Sequence, residues 1–136
     1  MNKIAEVYVG QQLPEIEYTP DNVQLFLYNA VLWNAHRIHF DLPYATEEEG
    51  YPGLVIAGPL MGDWLTQAVL EWVEDEGQIT FVEYSNRKAA YIGETLRSGG
   101  EVTAYDQELR EVTVKAFIKN EADEIIVPGT VKIRLN

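Results

Sequence analysis

Apolar positions along this chain recur first with a helical period and then with the period of a strand. Val23, Phe26, Leu27, Ala30 and Val31 fall three and four apart. They follow Thr19, Pro20 and Asp21, which read as an N-cap, a first-turn proline and an acid at the positive end of a helix. A helix over residues 20 to about 32 is predicted, with those five residues as its apolar stripe. Behind Gly58 and Pro59, Leu60, Met61, Trp64, Leu65, Ala68, Val69, Trp72 and Val73 recur with spacings of one, three and four. They predict a second helix over residues 59 to about 75, broad-faced enough to be wrapped, with Gly77 as its C-cap. Between the two, residues 41–53 carry two prolines, two glycines and three consecutive glutamates, and read as loop with room for one helical turn.

After the second helix the period shortens. Ile79, Phe81, Val82 and Tyr84 read as a strand, residues 89–92 as a short one, and residues 94–98 as the start of another that ends in a turn at Gly99 and Gly100. Val112, Val114, Ala116 and Ile118 alternate with Glu111, Thr113, Lys115 and Phe117, the two-residue period of a half-buried strand. Residues 120–123 form a turn before a last strand over residues 125–133. Helix, loop, long helix and then several antiparallel strands imply an α+β fold in which a curved sheet packs one face on a long helix.

Composition narrows the functional classes. At 136 residues and 46% apolar, with three Trp, eight Tyr and four Phe, the chain has the size and material of one domain with a sizeable core. Cysteine is absent, which excludes a disulfide framework, a cysteine nucleophile and a thiolate-held metal, and suits a reducing compartment, with cytosol as the expected location. Residues 1–10 show neither a basic leader nor a long apolar core, so a protein away from the membrane is expected. With 22 acidic against 10 basic residues and a net charge of −12, phosphate backbones meet a repulsive field, and nucleic acid is a poor partner. The same field opposes a phosphate-bearing carrier, which would need a local basic patch; Arg37, Arg87, Lys88, Arg97 and Arg110 are the candidates.

The chemistry concentrates in residues 34–41, Asn-Ala-His-Arg-Ile-His-Phe-Asp, which hold both histidines of the protein. Imidazole titrates near neutrality, so a positioned histidine is the first candidate for general acid/base work. His36 and His39 with nearby Asp41 lack a persuasive third ligand for a metal. This passage, and the longer span 34–60, resembles the MaoC-like or hydratase-2 hotdog family, and within it the hydroxyacyl-thioester dehydratase branch. His39 matches the family's catalytic histidine, and Asp41, Pro43, Tyr44 and Ala45 match the family's residues just downstream of that histidine. Asn34 stands at the place of the wider family's aspartate and His36 at that of its asparagine, while the dehydratase branch itself resembles this chain in having Asn-x-His-Arg-Ile-His. Pro52, Gly53, Leu54, Val55, Gly58 and Pro59 match the entry to the central hotdog helix, and residues 87–95 resemble a later strand segment.

The resemblance implies a hotdog domain acting as an enoyl-thioester hydratase or 3-hydroxyacyl-thioester dehydratase, a hydro-lyase, with 3R products. His39 would be the acid/base, Asn34 the group that positions water and the Gly58 N–H the oxyanion donor. His36, Arg37, Ala57 and Arg87 are the substrate-side candidates. Ala57 stands where relatives often carry a histidine, which removes a second polar contact near the thioester. Asn34 does not titrate, so one imidazole would carry the proton from water to the α carbon. Local readings stand beside these: His36 fixing its own loop, Arg37 paired with Asp41 or Glu47 to Glu49, and Gly58–Pro59 as an ordinary helix start. No cofactor is implied beyond the coenzyme A or phosphopantetheine of the substrate. A homodimer is expected, or a hotdog heterodimer. Two alternatives stay open: other acyl chemistry in the same pocket, such as isomerisation, cyclisation or a hydrolysis for which Asp63 is the available carboxylate, and a non-catalytic acyl-binding subunit.

Overall fold

In the computed structural model residues 6–136 are described; residues 1–5, half of the amino-terminal stretch read above, lie outside them. The element order is β1 (Ile16–Tyr18), α1 (Asn22–Val31), a 3₁₀ turn (Arg37–His39), a π-helical turn (Tyr44–Glu48), α2 (Gly58–Val73), β2 (Gly77–Tyr84), β3 (Leu96–Asp106), β4 (Glu111–Lys119) and β5 (Ile125–Leu135). The five strands form one antiparallel sheet in the order β1-β3-β4-β5-β2, bulged in β2, β3 and β5, and it wraps around α2. This is the α+β hotdog arrangement that the resemblance implies.

Packing follows from the two periods meeting. The broad face of α2 buries Leu60, Met61, Trp64, Leu65, Val69 and Val73. Opposite it, β4 buries Val112, Val114, Ala116 and Ile118 at every second position. Each fully buried Leu or Val side chain contributes about 2 kcal/mol by removal of apolar area from water. A buried hydroxyl in this seam, that of Ser98, donates to the Trp64 carbonyl at 2.6 Å and is thereby satisfied.

Five local expectations need correction. The N-cap of α1 is Asp21, whose carboxylate accepts from the Gln24 N–H at 2.8 Å, because the Thr19 hydroxyl is taken by Thr95 at 2.8 Å. Gly77 is not the C-cap of α2: Glu74 takes the left-handed position at φ 51°, and Gly77 opens β2, where an added methyl would lie 2.7 Å from the Arg134 carbonyl. Gly99 and Gly100 make no turn but run through β3, where added methyls would meet the Phe117 ring at 2.8 Å and Val114 at 2.7 Å. The turn comes later, where the Asp106 carboxylate accepts from the Glu108 and Leu109 N–H groups. Finally, the stripe of α1 faces outward. Leu25 and Asn29 are the buried residues of α1, whereas Val23, Phe26, Leu27 and Val31 are exposed and Trp33, just beyond, is 93% exposed. An amphipathic stripe ordinarily faces the core of its own chain; here the space over the sheet is already filled by α2. The short strand expected over residues 89–92 is reduced to one bridge, Val55 to Tyr91.

The two sheet edges differ. Beside β3 the chain at residues 10–13 adds hydrogen bonds, Gly10 N–H to Val102 O at 2.8 Å and Leu13 N–H to Gly100 O at 2.9 Å. On the other side β2 pairs with β5 alone among the described residues, and its Phe81, Val82 and Tyr84 are partly exposed.

Candidate active site

The polar passage is delivered by the end of α1. Leu32 N–H still reaches Tyr28 O, Trp33 then reverses the chain at φ 57°, and Asn34 N–H returns to Asn29 O at 2.9 Å. The Asn34 side-chain oxygen accepts from the His36 N–H at 3.1 Å, and His36 Nδ1 accepts from the Ile38 N–H at 3.4 Å. Both side chains therefore shape the 3₁₀ turn that presents His39. Arg37 makes the ion pair: its guanidinium donates to Asp41 at 2.7 and 3.0 Å and lies 4.2 Å over the Tyr44 ring. That pairing, with the Tyr44 N–H, holds the Asp41 carboxyl below its ordinary range, so Asp41 is a fixed acceptor of this turn.

His39 is 8% exposed, and its Nδ1 lies 2.6 Å from the Val55 carbonyl oxygen. A carbonyl can only accept, so Nδ1 carries the proton and the lone pair of the neutral ring resides on Nε2. Burial lowers the pKa of the ring from 6.5, the Val55 bond opposes that, and His36, with ring centroids 5.7 Å apart, lowers it further. The net direction keeps His39 neutral and basic at Nε2 near neutral pH.

Val55 also fixes the helix entry. Its N–H bonds to Ile38 O at 3.0 Å and Ile56 N–H to Ala90 O at 2.9 Å, so the segment leading into α2 is stitched on both sides. Ala57 is the N-cap without a side-chain bond, its methyl is in the core, and its carbonyl accepts from Leu60 and Met61. The next N–H, that of Gly58, has no acceptor among the described residues. His39 is thus anchored three residues upstream of the positive end of α2.

Two concavities are lined by candidate residues, one by Asn34 and the other by Arg87. One, of about 380 Å³, is lined by Phe26, Asn29, Ala30, Trp33, Asn34, Ala35 and Phe40. The outward stripe of α1 is therefore a wall of an apolar groove with Asn34 at its edge. Asn29 is buried there, and its Nδ2 donates to Leu25 O at 2.8 Å. The other cavity, of about 550 Å³, is lined by Arg87, Lys115, Thr103, Thr113 and Thr130 among others, with Arg87 Nε donating to Ser85. Asp63 accepts from the Tyr28 hydroxyl at 3.1 Å, and burial together with that carboxylate pushes the phenol up to about 12.

The predicted residues thus divide. Asn34, His36 and His39 are linked through the 3₁₀ turn, and Gly58 is tied to His39 through Val55. Arg37 is occupied by Asp41, and Arg87 belongs to the second cavity. Sequence reading missed Asn86, whose side chain lies on Gly58, and Tyr84, whose ring lies on Gly62. The available signal was the four-residue spacing of two glycines in the first turns of α2. Among the described residues no group of three or more His, Cys, Asp or Glu is placed to hold a metal ion, and no helix is long and apolar enough to cross a membrane.

Known proteins match this chain at four points. The family model for hydroxyacyl-thioester dehydratase type 2 matches residues 6–92. Mesaconyl-C(4)-CoA hydratase of Chloroflexus aurantiacus is 62% identical over 42 residues, 31% of this chain and 15% of that protein. The mitochondrial hydroxyacyl-thioester dehydratase type 2 of Schizosaccharomyces pombe is 48% identical over 44 residues, 32% of this chain and 15% of that protein. Each match thus spans a small part of the relative's length. Among solved structures, the (R)-hydratase from A. caviae involved in PHA biosynthesis superposes with a TM-score of 0.88 at 15% identity, covering 97% of this chain and 99% of that one, a likeness of fold.

Proposed function

Since the chain belongs to the hydroxyacyl-thioester dehydratase type 2 family, we propose that it reversibly hydrates 2-enoyl thioesters to 3-hydroxyacyl thioesters, with 3R configuration. The observation that carries this reading is the His39 Nδ1 to Val55 O bond, which supports a basic Nε2 on a ring anchored to the segment that enters α2, whose first N–H is unused among the described residues. In hydration, Nε2 takes a proton from water as the oxygen bonds to C3. The π electrons move onto the thioester oxygen, and the Gly58 N–H stabilises the resulting enolate. The imidazolium then gives its proton to C2 and the carbonyl re-forms. One proton carrier on one face makes the addition syn, and dehydration runs the same steps backwards.

The direct test is incubation of the protein with 2-enoyl-coenzyme A thioesters of graded chain length, following loss of the enoyl absorbance and the configuration of the 3-hydroxy product. No interconversion at any length overturns the reading.

A single carrier also fixes the pH dependence. Neutral His39 starts the reaction in both directions, so kcat/KM is expected to rise with pH through one pKa below 6.5 and then stay flat, for hydration and dehydration alike. A second, alkaline limb in either direction would reveal a separate acid. The stability sign agrees: the unfolded ring binds a proton more readily than the folded one, so this group's contribution is present above 6.5 and is lost as pH falls through the lowered value.

Asn34 is proposed to hold the attacking water through Nδ2, since its oxygen is committed to the His36 N–H. Asn34→Asp keeps that acceptor and presents a carboxylate to the water, so turnover is expected to survive within about tenfold. A loss beyond about hundredfold in a folded variant would show that the amide donor itself is required.

The acyl chain is assigned to the apolar groove along α1, and the carrier phosphates to Arg87 and Lys115, neither of which is ion-paired with a carboxylate among the described residues. The open, partly apolar edge of β2 supports pairing with a second copy of the chain, or with another hotdog subunit, across that strand.

A further inference from the structure

Glycine at both 58 and 62 leaves one line of α2 without Cβ atoms, and the end of β2 with the residues just after it fills it. A methyl at Gly58 would lie 2.5 Å from Nδ2 and 3.0 Å from Cγ of Asn86, and one at Gly62 would overlap the Tyr84 ring and hydroxyl. The match is geometric: four helical residues advance about 6 Å, and two extended residues advance about 6.6 Å. Tyr84 and Asn86 therefore lie over Gly62 and Gly58 in antiparallel order. Asn86 is held in place by its neighbours, since Ser85 N–H bonds to Pro128 O at 3.1 Å and Arg87 N–H to Ile126 O at 2.9 Å. Its amide has no hydrogen-bond partner among the described residues and is exposed in the single chain. Its amino end is the nearer to Gly58, since Oδ1 lies 3.4 Å from the same point.

We propose that the Asn86 side-chain amide is a catalytic residue, the second donor that, with the Gly58 N–H, stabilises the thioester oxygen as the enolate forms. This rests on the hydratase reading above. An oxyanion in a helix-end site is stabilised best by two converging donors, and Ala57 offers no polar side chain for the purpose. Asn86 supplies the missing one from a different element, on a backbone pinned to β5 at both sides.

The test compares full-length wild type, Asn86→Ala and Asn86→Asp for hydration of a 2-butenoyl-coenzyme A thioester, with thermal melting measured in parallel. Asn86→Ala is expected to lower kcat about 100-fold with KM changed less than about threefold. Asn86→Asp has the same shape but replaces donors by negative charge. It should lose more activity still, while melting at or above the wild-type temperature because a carboxylate suits the positive end of α2. An Asn86→Ala kcat within about threefold of wild type overturns the inference and leaves the hydratase reading intact. Activity retained by Asn86→Asp, or lost only in step with melting temperature, also overturns it. A wild-type protein that turns over no enoyl thioester removes the reading, and this inference with it.

Discussion

Replacing His39 with alanine is expected to lower kcat/KM for the hydration of an enoyl thioester by about 1,000-fold or more, because general acid/base catalysis is worth about 10² to 10⁴ and this imidazole would act as both base and acid. Asn34 does not titrate and Asp41 is held by Arg37, so neither can take over the proton. The fold should survive. The variant leaves the buried Val55 carbonyl without the Nδ1 donor, at a cost of about 1 to 3 kcal/mol, and the α2 core is untouched. The measurement is kcat/KM in both directions alongside melting temperature and oligomeric state. Turnover within about threefold of wild type in a folded His39→Ala protein would remove the imidazole from the mechanism. Collapse of the fold would instead make the Val55 bond structural, and His39→Gln, which keeps a donor for that carbonyl but has no titrating nitrogen, separates the two outcomes.

The legible part of the protein is the part where one period dominates. The broad stripe from Leu60 to Val73 and the alternation from Val112 to Ile118 each meet a single partner, so helix and strand were readable and so was the wrapping of one by the other. The candidate site was easy to locate for a simpler reason: both histidines fall in one eight-residue stretch, and the structure gives one of them a hydrogen bond that defines its tautomer. Illegible were the features decided by distant neighbours. Thr19 has the right chemistry for an N-cap, but Thr95, far along the chain, occupies its hydroxyl and Asp21 caps instead. Gly99 and Gly100 have turn composition, yet they serve close approach of β3 to Phe117 and Val114. The stripe of α1 has core composition but lines a groove, since α2 already covers the sheet. Asn86 carries no local signal at all, because its place over Gly58 comes from β5 holding the residues on either side of it.

Gly129→Ala is expected to destabilise the fold by about 2 to 3 kcal/mol, the upper range for overpacking a well-filled interior. Gly129 pairs with Tyr84 across β5 and β2. A methyl there would lie 2.7 Å from the Glu83 carbonyl oxygen, 3.1 Å from Leu65 Cδ1 and 3.1 Å from Tyr84 Cβ. Leu65 could rotate away, but the Glu83 carbonyl belongs to the β2 ladder, so relief requires β2 to move off β5. That movement would carry Tyr84 and the segment bearing Asn86 away from Gly62 and Gly58, so kcat should fall together with stability. Gly53→Ala is the matched control: nothing lies within 4 Å of its added methyl, and the change should stay within about 0.5 kcal/mol of wild type. Urea denaturation read at equilibrium decides the matter. A lower midpoint at unchanged slope for Gly129→Ala fits the clash, whereas a midpoint equal to that of Gly53→Ala would mean that β2 is free to shift on β5 without cost, and that the strand cannot be what holds Tyr84 and Asn86 against the helix.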